Sequence, residues 1–439
     1  MRYSNIVLAS FAAIFCFAIA VVAFPSAAVA QVDDAIVTYR MERGDTLVSV
    51  KQRFLTGRMA VARVARLNRI RDPRRIPIGT VLRLPRNLLA WRSADLAIRG
   101  FSGPVEIDGA APDLGAQLAE GAVIRTGRNG FISLQSADGA TFAVPSNSTA
   151  RIERARIYRL RDLRDVEFRI LDGRGEIEVP VLRDGERFRG STPVAVTAVR
   201  GTLFRVGFAE DESLGVTEVI EGTVSVETGD TSQLTPEGFG ISVSPSGLGE
   251  PETLLPPAEI ANPGAIQTGG VVTFSISPPA GAVATRTQIA RDAGFLEVVG
   301  EDITSELVAR FEEVEDGRYF VRSRGISRGG IEGLSETFTF RRKRLGAEAT
   351  VEPSQLADGF RFAWLPIGEG ITHFAFQLWR EGEAGALIYD EIALPGSAIV
   401  VTGLEPDVYI WRVAAIQSDA EDGLLKVWGP DQSLTVSPE

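Results

Sequence analysis

The chain has 439 residues, of which 44% are apolar and 23% charged, with 45 glycines and 23 prolines. That length exceeds one ordinary core and predicts three or four domains, and the glycines and prolines predict short strands and frequent turns. A single histidine, His373, and a single cysteine, Cys16, exclude disulfide stapling, Cys–His hydrolysis and zinc sites built on several His or Cys.

Arg2 precedes the apolar run "IVLASFAAIFCFAIAVVAF", and Ala28 and Ala30 sit at the −3 and −1 positions of a small-residue cleavage site. This pattern predicts a signal peptide over residues 1–30, and hence an exported, periplasmic or envelope-associated chain. No stable membrane span is expected after cleavage, although the same run retained would serve as an anchor. Cys16 lies inside it, and Phe15 stands where a lipoprotein signal carries a small residue.

Charge is uneven. Residues 35–89 hold thirteen Lys/Arg against Glu42, Asp45 and Asp72, a net +10. With Arg2 and the pair Asp33–Asp34 counted, residues 90–439 carry −20. A small basic head on a long acidic body suggests a polyanionic or envelope partner for the head. Export argues against nucleic acid.

The head, residues 36–89, predicts a βααβ order: a strand at "IVTYRM", a helix in "GDTLVSVKQRF", a second helix in "MAVARVARLN" and a closing strand at "GTVLRLP". Asp45 or Thr46 is placed to cap the first helix. Val48, Phe54 and Leu55 are expected to form its buried stripe with Leu47 leaning on it, and Val61, Val64 and Leu67 that of the second. The tyrosine strand, "GDTL", Asn68, "IPIG" and "LRLP" make the segment resemble the LysM module. That resemblance implies binding of N-acetylglucosamine-containing glycan, especially peptidoglycan. The implied groove has Gly44, Asp45, Thr46 and Leu47 on one side. Asn68, Ile70, Arg71 and Asp72 form the other, with Pro73 and Ile76 nearby. Backbone groups of the glycine turn would bond the acetamido group, and Leu47 and Ile70 would offer apolar contact. The many arginines read as a solvated face, or as contacts to stem-peptide carboxylates or anionic lipid.

Residues 92–248 contain repeated strand signals divided by glycine turns, with Asp138-Gly139 and Asp172-Gly173 as hairpin dipeptides. The charged stretch "RIERARIYRLRDLRDVEF" reads as exposed strand and turn. "STPVAVTAVRGTLFRV", "VTEVIEGTVSV" and "TPEGFGISVS", with the earlier "GAVIRTGRNGFISLQSADGATFAVPSNSTARI", resemble the FecR domain, named for a periplasmic regulator of iron uptake. The resemblance implies an all-β fold; the regulator's preceding membrane helix has its place taken here by the LysM-like head. In "TAVRGTLFRV" strand alternation places Arg200 on an apolar face, and Glu218 stands alone on the apolar face of "VTEVIEGTVSV". Two such charges are tolerable inside only as a pair, so an internal Arg200–Glu218 ion pair is expected, with Gly201 marking a bulge or close backbone approach.

Residues 249–262 read as a proline-rich acidic linker. Beyond it the chain repeats with a period of about 90 residues. Phe274 corresponds to Trp364, Tyr319 to Tyr409, and "TQIARD" to "FQLWRE". The copies, 263–345 and 346–439, resemble fibronectin type III sandwiches. Trp364 and Trp411 are expected in the core; Trp379 and Trp428 are candidates for a contact surface. His373, in a strand, reads as packing. "DAEDG" at 419–423 lacks the ligand spacing of a calcium loop.

The expected fold is thus mainly β and multidomain: a small βααβ head, an all-β FecR-like domain and two β-sandwich repeats. The expected function is non-catalytic, with no cofactor and no metal: peptidoglycan binding by the head, with the body presented to an unidentified envelope protein. The alternative is a FecR-like sensor or regulator of signalling or transport.

Overall fold

A computed structural model describes residues 36–199, 201–356, 358–419 and 423–438. The proposed signal segment and Arg200 lie outside the described residues. The chain divides into two compact units, Met1–Leu89 and Ala90–Glu439.

In the first unit the strands Ile36–Arg40 and Val81–Pro85 pair antiparallel around helices Leu47–Phe54 and Ala60–Leu67, the expected βααβ order. Thr46 caps the first helix: its Oγ1 accepts from Ser49 N at 3.1 Å, and Ser49 Oγ accepts from Thr46 N at 2.9 Å. That cap sets the helical phase. Leu47 and Val50 are fully buried, whereas Val48 is 48% exposed. Of the expected stripe, Leu55 is buried and Phe54 half-buried, but Val48 turns outward and Leu47 takes its place. The second helix buries Ala60 and Val64, with Val61 and Leu67 half-buried.

The second unit opens with a closed barrel running from the strand Trp91–Ser93 to the strand Glu252–Thr253. Its core draws on alternate residues of many strands, among them Ile152, Phe168, Ile177, Phe204, Val219 and Ile241. The charged stretch expected to be exposed is instead a central hairpin, Ser148–Tyr158 paired with Leu163–Val179. Its apolar members face the core, and Asp165 is buried beside Arg154 at 3.6 Å and Arg189 at 3.3 Å. Asp138-Gly139 makes the expected hairpin turn between Phe131–Ser136 and Thr141–Val144. Asp172-Gly173 does not. It lies inside the 17-residue strand Leu163–Val179, at a bulge where pairing passes from Ser148–Tyr158 to Thr202–Ala209. Gly173 has φ +77°, and a Cβ there would stand 2.6 Å from Asn147 O, so only glycine fits this barrel corner.

Two β-sandwiches follow. In the first, a sheet of Glu259–Ile260, Val272–Ser277 and Val308–Phe311 faces one of Val298–Thr304, Ala282–Ala290, Gly317–Ser327 and Glu336–Arg342. In the second, Gly346–Pro353, Gly359–Ile367 and Ala398–Thr402 face Leu387–Leu394, His373–Arg380, Asp407–Asp419 and Gly423–Trp428, with Gln432–Val436 beside Asp407–Asp419. The internal repeat is visible atom by atom. Tyr319 donates its hydroxyl to Glu315 O at 3.1 Å, and Tyr409 does the same to Glu405 O at 2.9 Å, the corner that immunoglobulin-like sandwiches use. Phe274, Trp364 and Trp411 are core residues as expected, but His373 is exposed rather than packed.

The segment expected to be a linker is packed at both ends. Glu252–Thr253 adds to the barrel strand Phe239–Ser244, Leu254 is buried against Val216 and Ile331, and Glu259–Ile260 joins the first sandwich. Barrel and sandwich meet across a buried ionic network. Glu332, fully buried, receives Arg174 Nε at 2.9 Å, Arg286 Nε at 2.8 Å and Arg324 Nε at 2.6 Å. Glu218, also fully buried, accepts from Arg174 Nη1 at 2.8 Å and from Glu332 N at 2.9 Å. Arg205 stands opposite Glu218 in the strand register and donates to the carbonyls of Glu332 and Gly333 at 2.9 and 2.7 Å. Glu176 of the barrel accepts both Nη groups of Arg322 of the sandwich, at 3.2 and 3.1 Å. Apolar clusters flank it on two sides, Phe131 with Ala290, Phe295 and Val298, and Val216 with Leu254 and Ile331.

Burial alone would raise the carboxyl pKa values here, but the surrounding guanidiniums outweigh it. Glu332 is held well below the usual range by Arg174, Arg286, Arg324 and Arg205. Glu176 is lowered to about 2 by Arg322, Arg324 and Arg205. Burial and the neighbouring Arg324 lower Arg205 to about 10.

Two outcomes are expected. Glu332→Ala strands three guanidiniums at the junction and should cost about 3–5 kcal/mol, read as an earlier urea transition by circular dichroism; an unchanged midpoint would show that the network holds nothing. Because the Glu176 pKa is depressed in the folded state, its stabilisation is complete above about pH 4.5 and disappears as pH falls toward 2. The loss should reach about 3 kcal/mol, and Glu176→Gln should flatten that part of the stability–pH curve.

Candidate functional site

The head places its two candidate loops side by side. Leu47 N donates to Pro73 O at 3.1 Å, so the turn before the first helix and the loop after the second are joined by a backbone bond. Gly44 is exposed with φ +90°, a conformation that costs glycine little. Arg71 and Asp72 are exposed, and Ile70, Pro73 and Ile76 are half-buried along the second loop. Asp72 Oδ1 accepts from Arg74 N at 2.9 Å and shapes that loop.

Four of the candidate side chains are engaged internally. Asp45 accepts from Tyr39 Oη at 2.6 Å and from Glu42 N at 2.9 Å, and it pairs with Arg53. Its pKa is lowered: partial burial works the other way, and the Tyr39 bond, the Glu42 amide and the Arg53 charge outweigh it. Burial and the bond to Asp45 raise Tyr39. Thr46 is the helix cap. Asn68 donates through Nδ2 to Val64 O at 2.9 Å and Arg83 O at 2.8 Å, and its Oδ1 accepts from Arg83 N at 2.7 Å. It staples the second helix to the closing strand. Leu47 is completely buried, so its side chain offers no apolar contact to a ligand, contrary to expectation. What the loops leave for a ligand is backbone, Ile70, Ile76, and the charged Arg71 and Asp72. Tyr39 and Arg53, which set the turn with Asp45, were not read as a unit from sequence. The signal was the tyrosine two residues before the buried Met41 and an arginine eight residues after Asp45.

Of the expected ion pair in the middle domain, Glu218 is among the described residues. Glu218 is buried and paired, but its described partners are Arg174 and Arg205. Arg200 lies outside the described residues. The sequence logic of opposite charges on neighbouring strands holds for Arg205, which faces away from the barrel core occupied by Phe204 and Val206. Gly201 does mark a close approach: with φ +112°, a Cβ there would lie 2.8 Å from Val181 Cα. It lies between the strands Val196–Val199 and Thr202–Ala209. Among the described residues no cluster of His, Cys, Asp or Glu could hold a metal ion.

No curated protein matches the chain. Among solved structures, a candidate anti-sigma factor from Parabacteroides distasonis is similar at 20% identity with a TM-score of 0.26, covering 30% of this chain. The chain spans 59% of that protein's length. The first three fibronectin domains of chicken CNTN1 are similar at 12% identity and TM-score 0.22, covering 61% of this chain and 99% of that one. A two-domain fibronectin type III segment of chicken tenascin is similar at 8% identity and TM-score 0.21, covering 42% of this chain and 99% of that one. With TM-scores below 0.5, none of the three bears on function. The family described as FecR protein matches residues 122–225, within the closed barrel, and the chain therefore carries a FecR domain.

Proposed function

We propose that the chain is a non-catalytic, envelope-associated regulator or sensor built on its FecR domain. The observation that carries this reading is the family match over residues 122–225. The barrel that contains this match has its outer face, with Arg174, Glu176, Arg205 and Glu218, taken up by the first sandwich. Such a unit suits relaying the state of a bound partner better than supporting turnover. No helix among the described residues is long and apolar enough to cross a membrane.

A second reading, peptidoglycan binding by the head, is favoured by the two loops joined at Leu47 and Pro73 beside an exposed glycine turn. It supplies the regulator with a fixed point in the envelope. The net +10 of residues 35–89 adds attraction to stem-peptide carboxylates.

Each reading has its own measurement. Deleting the gene should change the transcripts of a discrete gene set several-fold, and the full chain supplied in trans should restore them; an unaltered transcriptome would end the regulatory reading. The purified full chain should sediment with peptidoglycan sacculi, and Ile70→Ser should weaken sedimentation about tenfold, the equivalent of about 1.4 kcal/mol. A chain that stays in the supernatant at every sacculus concentration would remove the glycan reading and leave the first intact.

A further inference from the structure

The two sandwiches share more than a fold. In the first, Glu301, Gln288 and Arg322 lie across three adjacent strands: Gln288 Nε2 donates to Glu301 at 2.6 Å, and Arg322 Nε donates to Gln288 Oε1 at 2.9 Å. In the second, Asp390, Gln377 and Arg412 occupy the corresponding strands and register. Gln377 Nε2 donates to Asp390 at 3.0 Å, and Arg412 Nε donates to Gln377 Oε1 at 2.9 Å. The acid–glutamine–arginine row is thus built twice.

Its use in the first copy is plain. Arg322 is aimed by Gln288 and lies 4.1 Å from the Phe295 ring centroid, and it spends both Nη groups on Glu176, a carboxylate of a different domain. In the second copy the row faces outward. The Arg412 side chain is 33% exposed against 13% for Arg322, and the acid nearest its Nη1, Asp431, is 3.6 Å away and itself 55% exposed. Arg412 is held over Trp379 at 5.4 Å and Trp428 at 4.5 Å, so its planar fork is oriented before any partner arrives. On the strand of Asp390, Ile388 and Ile392 are 44% and 66% exposed. Ile388 and Ile392 alternate with Asp390 along one strand face. Apolar side chains therefore flank the carboxylate end of this row, as the Phe131–Phe295 and Val216–Ile331 clusters flank the occupied junction.

We propose that this outer face of the C-terminal sandwich is a docking surface for a folded protein that offers a surface carboxylate to Arg412, as the barrel offers Glu176 to Arg322. The partner's carboxylate takes the fork, and its apolar neighbours cover Ile388 and Ile392. The occupant is a different protein rather than a second copy, because residues 90–439 carry −20 and two such bodies repel. A partner of neutral or basic overall charge with one such local carboxylate fits.

The test places a photo-crosslinking amino acid at Ile388, 44% exposed on the strand of Asp390, in the full chain, expressed in its own cells, and sequences the cross-linked peptides. One discrete adduct is expected, joined within a few residues of an Asp or Glu of a folded protein. Arg412→Glu should reduce it at least tenfold, and changing that partner carboxylate to arginine should restore it. Ile392→Lys, at a 66% exposed position, should give a similar loss without the risk that Arg412 variants disturb the sheet; thermal melts of both variants identify any that unfold. Absence of an adduct, an adduct to a second copy, or an adduct indifferent to both Arg412→Glu and Ile392→Lys would overturn the proposal.

Discussion

A carboxylate taken fully out of water must be matched by positive charge within a few ångströms, or it will not stay ionised. Glu332 imposes that condition on the body of this protein. Its two oxygens gather Arg174 from the barrel and Arg286 and Arg324 from the sandwich. Its own backbone then reaches back, the amide to Glu218 and the carbonyl to Arg205. The register of the strands around Arg205 and Glu218, the packing of the segment after the barrel, and the burial of the sandwich's outer face all follow from seating that one group. The arrangement contributes specificity as much as stability, since an apolar junction could slide while a hydrogen-bonded one has a single setting.

How much of this was legible in the sequence depended on distance along the chain. The paired Tyr319 and Tyr409 were visible because the motif recurs at a fixed period, whereas the corner bonds they make were not. The buried acid at Glu218 was visible as a charge on an apolar face. Its partners were not, because Arg174 lies 44 residues before it and Glu332 lies 114 after it, and nothing local marks either. Asp172-Gly173 has the composition of a turn, yet serves as a bulge because both flanking halves find pairing partners in one long strand. At Leu47 and Val48 a one-residue error followed from not knowing whether Asp45 or Thr46 caps the helix. The capping bond decides the phase and hence which leucine or valine turns inward.

The head illustrates a division of labour common in small folds. Asp45, Thr46 and Asn68 look like ligand groups by type, but each is consumed in fixing a turn, a cap or a strand junction. Their work is to hold the two loops in one shape, with main-chain groups whose directions no longer vary. The acid–glutamine–arginine row follows a similar logic on a sheet: Gln288 and Gln377 hydrogen-bond within their own sandwiches and decide where an arginine points.

The stretch 249–262, rich in proline and acid, has a mechanical consequence. Its first part is zipped onto the barrel and its last part onto the sandwich, with Leu254 plugged between them. A tether transmits only tension, whereas a segment bonded along both sides also transmits torque. A twist imposed on the FecR domain would thus turn the adjoining sandwich with it, as a spanner turns a nut.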